Sequence, residues 1–329
     1  MKRGLKLLTL ILVLLCHTTI KAQTDFTTQK SSRIKAFSKL DVAVTGGTTG
    51  IGIDFATPLN NSFRIRGGFT FMPHFEYDMD FPISVGEEDV RQYDQNGIPI
   101  ETKFEKLAGM LENLTGMKVN DTFNMTGEPN FYNFKLLLDV YPLKNKHWHI
   151  TAGVYAGSSK IGKAVNTIED APTLISVNIY NQMYEKAIND IPIFELGDFA
   201  PYFPSEIAEK FDEYGRMGAY VGKKSDGTVY KLEPNEENMV KVDMKVNNIK
   251  PYIGFGYGNS MMDNNKKYNV SMECGVLFWG GVPNVITHDG TDITRGFKKV
   301  WGKQGEYVDI VEKFKAFPVI NVRIARRLF

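Results

Sequence analysis

Five histidines, two cysteines and a set of mixed-sign charges are the residues of this chain best suited to chemistry. His74 and the pair His288-Asp289 are candidates for a general base, which needs an acid within hydrogen-bond reach of the imidazole. Neither has a serine at a matching strand position, and His288-Asp289-Gly290 also reads as a turn. His147-Trp148-His149 places two imidazoles two residues apart on one side of a strand, but no third metal ligand is near in sequence. That stretch also reads as a turn. Gly50-x-Gly52 is no phosphate loop, because no helix follows it. Asn113-Leu114-Thr115, Asn120-Asp121-Thr122 and Asn124-Met125-Thr126 match the glycosylation sequon in spacing alone. Cys16 and Cys274 are too few for a disulfide framework or a cysteine zinc site. These signals assign no catalytic residue, no cofactor and no metal ligand.

The charges are more informative. Asp41, Asp54, Arg64, Arg66, Lys135, Asp139, Glu273 and Arg323 all fall in the polar phase of segments that alternate with period two. Val42 and Val44 flank Ala43, Ile51, Ile53 and Phe55 flank Asp54, and Phe134, Leu136 and Leu138 flank Lys135. Eight such segments occur, near 40–45, 51–56, 63–71, 132–141, 148–157, 250–259, 269–279 and 318–329.

Composition limits what these strands can build. The chain has 329 residues, 43% hydrophobic and 23% charged, which excludes a disordered tail. A formal charge of +1 provides no basic field for nucleic acid. Lys2, Arg3 and Lys6, an apolar run over 7–15 and Ala22 as a small residue before cleavage read as a secretory signal peptide over 1–22. The 39 basic residues less Lys2, Arg3, Lys6 and Lys21 leave 35 against 38 acidic ones, a net of −3. Beyond residue 23 no run of 18 apolar residues forms a membrane helix.

Short and long connections alternate along the chain. Asn60-Asn61, 144–147 and 262–267 are short polar turns, whereas 82–130, 168–245 and 282–315 are long, with Gly46-Gly47-Thr48-Thr49-Gly50 as a tight link among these. Short turns on one side and long loops on the other describe a barrel that crosses an outer membrane. The fold class read from the sequence is therefore all-β: an eight-stranded, antiparallel, up-and-down transmembrane β-barrel with long extracellular loops containing short helices. On this reading 23–38 is a periplasmic lead-in and 39–329 is the barrel. Its apolar face meets lipid, and the eight charges form a paired network that fills the lumen. Phe71, Phe75, Tyr77, Phe131, Tyr132, Trp148, Tyr257, Phe278 and Trp279 cluster at strand ends as interfacial girdles.

The passages LDVAVTGGTTGIGIDFATPLNNSFRIRGGFTF and LLLDVYPLKNKHWHITAGVYAG resemble the small eight-stranded outer-membrane barrels of the OmpA/OmpX type. The terminal Phe329 is similar to the aromatic residue that ends such chains, although it falls on the face of Arg323 and Arg327. The resemblance covers the strands and not the loops. It implies export to the outer membrane of a Gram-negative bacterium and outer-membrane lipid as a partner.

In the loops, Thr102-x-x-Glu105 caps a helix with Phe104, Leu107, Ala108, Leu111 and Leu114 on one stripe. Asp170 with Pro172 begins a second, carrying Leu174, Val177, Tyr180, Tyr184, Ala187 and Ile188. Pro204 begins a third that ends at Gly215, and a hairpin follows over 219–232. A last helix runs through Tyr307, Ile310, Val311 and Phe314. The segment 168–245 carries 15 acidic and 8 basic residues, and 82–130 carries 9 and 4. The function read from this pattern is a non-enzymatic barrel that displays structured loops to a surface partner, or serves as a subunit of an outer-membrane assembly. The alternatives are a lipid-modifying hydrolase and a narrow passive channel. A protease added to intact cells is expected to cut only within 82–130, 168–245 and 282–315. Cleavage confined to Asn60-Asn61 or 144–147 would invert the topology.

Overall fold

The structure, a computed structural model, describes residues 35–86, 95–96, 100–144, 146–258, 268–295, 297–300, 311, 313 and 315–329. The leader, most of the lead-in, the turn at 262–267 and most of the last expected helix lie outside the described residues.

The chain builds the barrel and leaves it repeatedly at one end. Strands β1 (Asp41–Gly47) and β2 (Gly50–Pro58) form a tight hairpin, and β3 (Phe63–Phe71) follows. Then come β4 (Tyr77–Pro82), β5 (Ser84–Val85), α1 (Lys103–Thr115) and β6 (Thr122–Pro129), before β7 (Tyr132–Val140) and β8 (Trp148–Gly157). The longest excursion holds β9 (Lys160–Asn166), α2 (Ala171–Ile188), α3 (Ser205–Tyr214), β10 (Met217–Lys224), β11 (Val229–Leu232) and β12 (Lys241–Lys245). The chain ends with β13 (Ile249–Gly258), β14 (Tyr268–Leu277), β15 (Asn284–Thr287), β16 (Phe297–Val300) and β17 (Phe317–Arg327).

Strands β1, β2, β3, β7, β8, β13, β14 and β17 pair antiparallel in that order, and β17 closes on β1. Closure removes the unpaired edges that an open sheet would expose. Residue alternation then decides the faces. In β2, Gly50, Gly52, Asp54, Ala56 and Pro58 are buried, while Ile51, Ile53 and Phe55 point outward. In β7, Asn133, Lys135, Leu137 and Asp139 are buried between the outward Phe134, Leu136 and Leu138. No helix among the described residues is long and apolar enough to cross a membrane.

A second layer sits on the end of the barrel where the long connections emerge. Its five-stranded sheet runs β15-β12-β9-β6-β4. These strands adjoin β14, β13, β8, β7 and β3 in the chain, and those five are neighbours in the barrel in the same order. Five of the eight barrel strands therefore carry a continuing strand into the cap. One face of this sheet is apolar, through Met79, Phe81, Phe123, Met125, Ala164, Val242 and Val285. The opposite face carries ion pairs such as Lys163 with Glu128 and Lys160 with Asp243, each at 2.7 Å.

The helices cover the apolar face. At α1 the Glu105 amide donates to Thr102 Oγ1 at 3.1 Å, and the Thr102 amide donates to Glu105 Oε2 at 2.8 Å. These reciprocal bonds satisfy two amides at a helix start. Gly116 takes the left-handed conformation, φ 70°, that ends the helix. Phe104, Ala108 and Leu111 are buried, but Leu114, counted in the same stripe, is exposed. In α2, Leu174, Val177, Tyr180 and Ala187 are buried. Asp170 makes no capping bond to this helix; it accepts from the Asn124 amide and the Thr167 hydroxyl, tying α2 to β6. Helix α3 has no buried residue.

The aromatic girdles are corrected at two places. Phe131 and Trp279 are buried and not interfacial, because both turn inward at the mouth of the lumen with Phe317. Phe329 lies beyond the end of β17, with its carbonyl accepting from the Leu40 amide at 3.1 Å and its side chain exposed.

The cap core and the lumen core are separate clusters. Leu111→Ala is therefore expected to destabilise the cap by about 2–5 kcal/mol and leave barrel closure intact. Limited proteolysis in urea should report cap cleavage at lower denaturant than in the unmodified protein. Simultaneous loss of the barrel would show that the two cores are coupled.

Candidate functional site

The eight charges singled out on the strands all point into the lumen. Asp41, Asp54 and Asp139 are fully buried, and Arg64, Arg66, Lys135, Glu273 and Arg323 are at most 5% exposed. Arg66 stands at the centre. Its Nη2 donates to Asp139 Oδ1 at 2.9 Å and to Glu273 Oε2, and its Nη1 lies 3.7 Å from Asp54 Oδ2. Arg64 Nε donates to the other Asp139 oxygen at 2.7 Å, and Lys135 Nζ meets Asp54 Oδ1 at 2.7 Å. Arg323 approaches Asp54 at 3.7 Å, while Asp41 sits apart and pairs with Arg327 at 3.4 Å.

Neutral groups complete the network. Thr151 Oγ1 donates to Asp139 at 2.8 Å, and the Tyr252 hydroxyl donates to Glu273 at 2.7 Å. A narrow barrel must make room for such side chains. A Cβ at Gly254 or Gly275 would lie within 2.5 Å of the Tyr252 hydroxyl, so glycine at both positions admits this ring. The lumen is thus polar and filled, and the outer wall is apolar. That is the reverse of a barrel folded in water. The fold is an eight-stranded barrel of the outer-membrane type.

His149 belongs to this barrel's interior, which its sequence context had not indicated. Its Nε2 lies 3.6 Å from Glu273, and with Asp139 these three residues bring potential ligand atoms within 4.8 Å of one another. The Arg66 guanidinium, which contacts both carboxylates, takes the place between them that a cation would need. His147 instead lies against the Gly258 carbonyl at 3.1 Å, so the two imidazoles face different surroundings.

The two catalytic candidates are not set beside a serine among the described residues. His74 is exposed, 3.2 Å from Glu76 and 3.9 Å from Glu128. The Lys163 ammonium, hydrogen bonded to Glu128, holds that carboxyl below its ordinary range. Asp289 accepts from the Thr287 hydroxyl, the Thr291 amide and the Tyr230 hydroxyl, an arrangement that fixes a turn. Burial pushes the Tyr230 hydroxyl above its ordinary pKa, so it stays a proton donor to Asp289.

Above the barrel lies a cavity that the sequence did not indicate. It measures about 340 Å³, is half open, and lies between the apolar face of the cap sheet and the β10–β11 hairpin. Met79, Met125, Ala164, Val242, Met244 and Val285 line one side, and Val221 and Leu232 the other. Small residues open it: Gly127 and Gly162 stand where the strand pattern points inward. A second cavity of about 290 Å³ adjoins it and shares Pro129, Ile161, Met244 and Val311. The second is floored by Phe131, Trp279 and Phe317 at the lumen mouth.

No protein-family profile matches the chain, and no curated protein sequence matches it. Among solved structures, CarO of Acinetobacter baumannii is 14% identical with a TM-score of 0.36, covering 89% of this chain and 99% of its own. CarO2 of the same organism gives the same identity and TM-score, covering 89% and 100%. A major outer membrane protein from Thermus thermophilus is 10% identical with a TM-score of 0.27, covering 91% and 100%. The barrel assignment rests on strand pairing and on the inverted polarity of the wall.

Removing one partner of a buried ion pair costs about 3–5 kcal/mol, because the survivor is left uncompensated. Arg66→Met takes the guanidinium from Glu273 and leaves Asp139 with Arg64 alone, and is expected to destabilise the barrel by about that much. Lys223→Met, at an exposed cap position, is expected to change stability by about 0.5 kcal/mol or less. Equal effects in reversible unfolding from lipid vesicles would show that the lumen network is not structural.

Proposed function

We propose that this chain is a non-enzymatic outer-membrane barrel whose activity belongs to its cap, and that the cap binds a small apolar ligand at the cell surface. The supporting observation is the cavity of about 340 Å³ on the apolar face of the cap sheet. Its volume falls within the range of roughly 300–1,000 Å³ typical of small-molecule pockets. A dry apolar cavity of about 150 Å³ is already enough to bind benzene. Protein interiors otherwise leave few voids larger than water, so a space of this size is a costly feature for a cap serving only as a lid.

The topology fits an outward-facing cap. The described residues that lead into β1, the end of β17 and the turns at 60–61 and 144–147 lie at the opposite end, where Leu328 and Leu40 pair, and outer-membrane barrels keep their short turns in the periplasm. A filled lumen argues against a passive channel. His74 and Asp289, each held by groups other than a serine, give no support to a hydrolase.

A second reading, docking of a protein partner or assembly subunit, is favoured by the connection between α2 and α3. Phe194, Leu196 and Phe199 are 51%, 74% and 61% exposed there, and the two phenylalanine rings pack with centroids 5.9 Å apart. A stoichiometric partner that co-purifies in mild detergent and is lost from Leu196→Ser/Phe199→Ser would support docking. A chain that runs alone in both forms would oppose it.

The cavity reading has its own test. A Cβ at Gly162 meets only ordinary contacts, 3.6 Å from the Glu128 carbonyl and 3.8 Å from Met244, so Gly162→Leu should fill the space without breaking the strand. Dodecan-1-ol is expected to protect the cap of the unmodified protein against urea and proteolysis, and to protect Gly162→Leu much less. Equal protection of both would place the alcohol in the surrounding lipid and refute the pocket.

A further inference from the structure

Lys250 is fully buried at the cap end of the lumen. Its ammonium donates to Asn133 Oδ1 and the Ser158 carbonyl, both at 2.9 Å, and to the Asn248 carbonyl at a long 3.5 Å. All three acceptors are neutral, and no carboxylate among the described residues pairs with it. This is unlike Arg64, Arg66, Lys135, Arg323 and Arg327, each of which faces an aspartate or glutamate. Six buried or half-buried cations thus face only four lumen carboxylates among the described residues. A buried charge without a counterion is costly, and removing the charge or supplying an anion relieves it.

A second observation points to the anion. Asn133 is fully buried, and its Nδ2 has no hydrogen-bond partner, although its Oδ1 is engaged by Lys250. An unsatisfied amide donor therefore stands beside an uncompensated ammonium. Both are one aromatic ring below the cavity: the Lys250 Nζ lies 5.6 Å from the centre of the Phe131 ring, and Phe131 floors the second cavity. Above that ring the lining is apolar, through Ile161, Met244 and Trp279, and it leads into the larger cavity.

We infer that the apolar ligand is a single-chain carboxylate, its hydrocarbon tail in the two adjoining cavities and its head received by Lys250 and Asn133 beside Phe131. The inference rests on the cavity reading above and adds the head group to it. The tail supplies apolar burial against a wall that is apolar except for Glu128 and Lys163, which pair with each other. The head supplies the missing counterion, exchanging the long Asn248 contact for a charge-assisted one and satisfying the Asn133 amide. A neutral alcohol of the same length fills the same space and leaves the charge uncompensated. Hydrogen bonds to charged groups are worth enough to separate the two ligands by at least about tenfold in affinity.

Trp279 lines the second cavity and serves as the reporter. The full chain carrying Trp148→Phe and Trp301→Phe is placed in lipid nanodiscs at about pH 7, above the carboxylate range and well below that of lysine. It is titrated with bromine-substituted dodecanoate and with the matching bromine-substituted dodecanol, which quench on contact. The expected result is saturable quenching by both, with the acid binding at least about tenfold more tightly. Lys250→Gln should abolish that preference while the alcohol still binds, and Gly162→Leu should weaken both. Equal affinity for acid and alcohol in the Lys250 protein would overturn the head-group inference and leave the cavity reading standing. Non-saturable quenching by both would overturn the cavity reading itself. The acid–alcohol comparison needs no substitution at Lys250, so it holds even where Lys250→Gln fails to fold.

Discussion

The guanidinium of Arg66, held between Asp139 and Glu273, is the interaction on which the rest of this structure depends. Eight strands enclose a space just wide enough for side chains, and charges placed there must pair or be expelled. Once Asp54, Asp139 and Glu273 are matched by Arg64, Arg66 and Lys135, the faces of the neighbouring strands are set by alternation alone. The apolar phase, with Ile53, Phe55, Phe134 and Leu136, is forced outward. An outward apolar wall is stable only in lipid. The polarity of one cluster therefore determines both the register and the medium of the molecule.

The same constraint shapes the cap. The small apolar cluster inside the barrel, with Leu137, Tyr155, Tyr252 and Val319, is separate from the segments above it, so the cap must supply its own core. It does so by prolonging five adjacent strands into a half-sheet and laying α1, α2 and the β10–β11 hairpin across the apolar face. Large residues, Phe81 and Phe123, fill the part beneath the helices. Small ones, Gly127, Gly162 and Ala164, occupy the part nearer the barrel, and there the space stays open. The cavity is thus a consequence of side-chain size along strands whose alternation is otherwise regular.

The barrel was legible in the sequence because each of its strands is long, and its period-two pattern sets bulky apolar residues against charges. The start of α1 was legible because Thr102 and Glu105 have one geometric use at that spacing. The cap sheet was not legible. Its strands, such as Thr122–Pro129, mix glycine, proline and polar residues, and only Phe123 and Met125 mark the inner face. Phe131 and Trp279 sit at strand ends, where an aromatic suits a membrane interface as well as a lumen mouth; packing against Phe317 decides the matter, and no local signal carries it. Lys250 escaped notice because a single lysine beside Pro251 reads as the end of a strand, and its lack of a counterion exists only in three dimensions.

Single-channel recording tests most directly whether paired charges close the lumen. Purified protein in planar bilayers is expected to give a flat baseline with no steady conductance steps, since side chains and not water occupy the interior. Reproducible open steps of constant size from the intact protein would contradict this. They would mean a water path past Arg66, and with it a different arrangement of the charges from which the faces of the barrel follow.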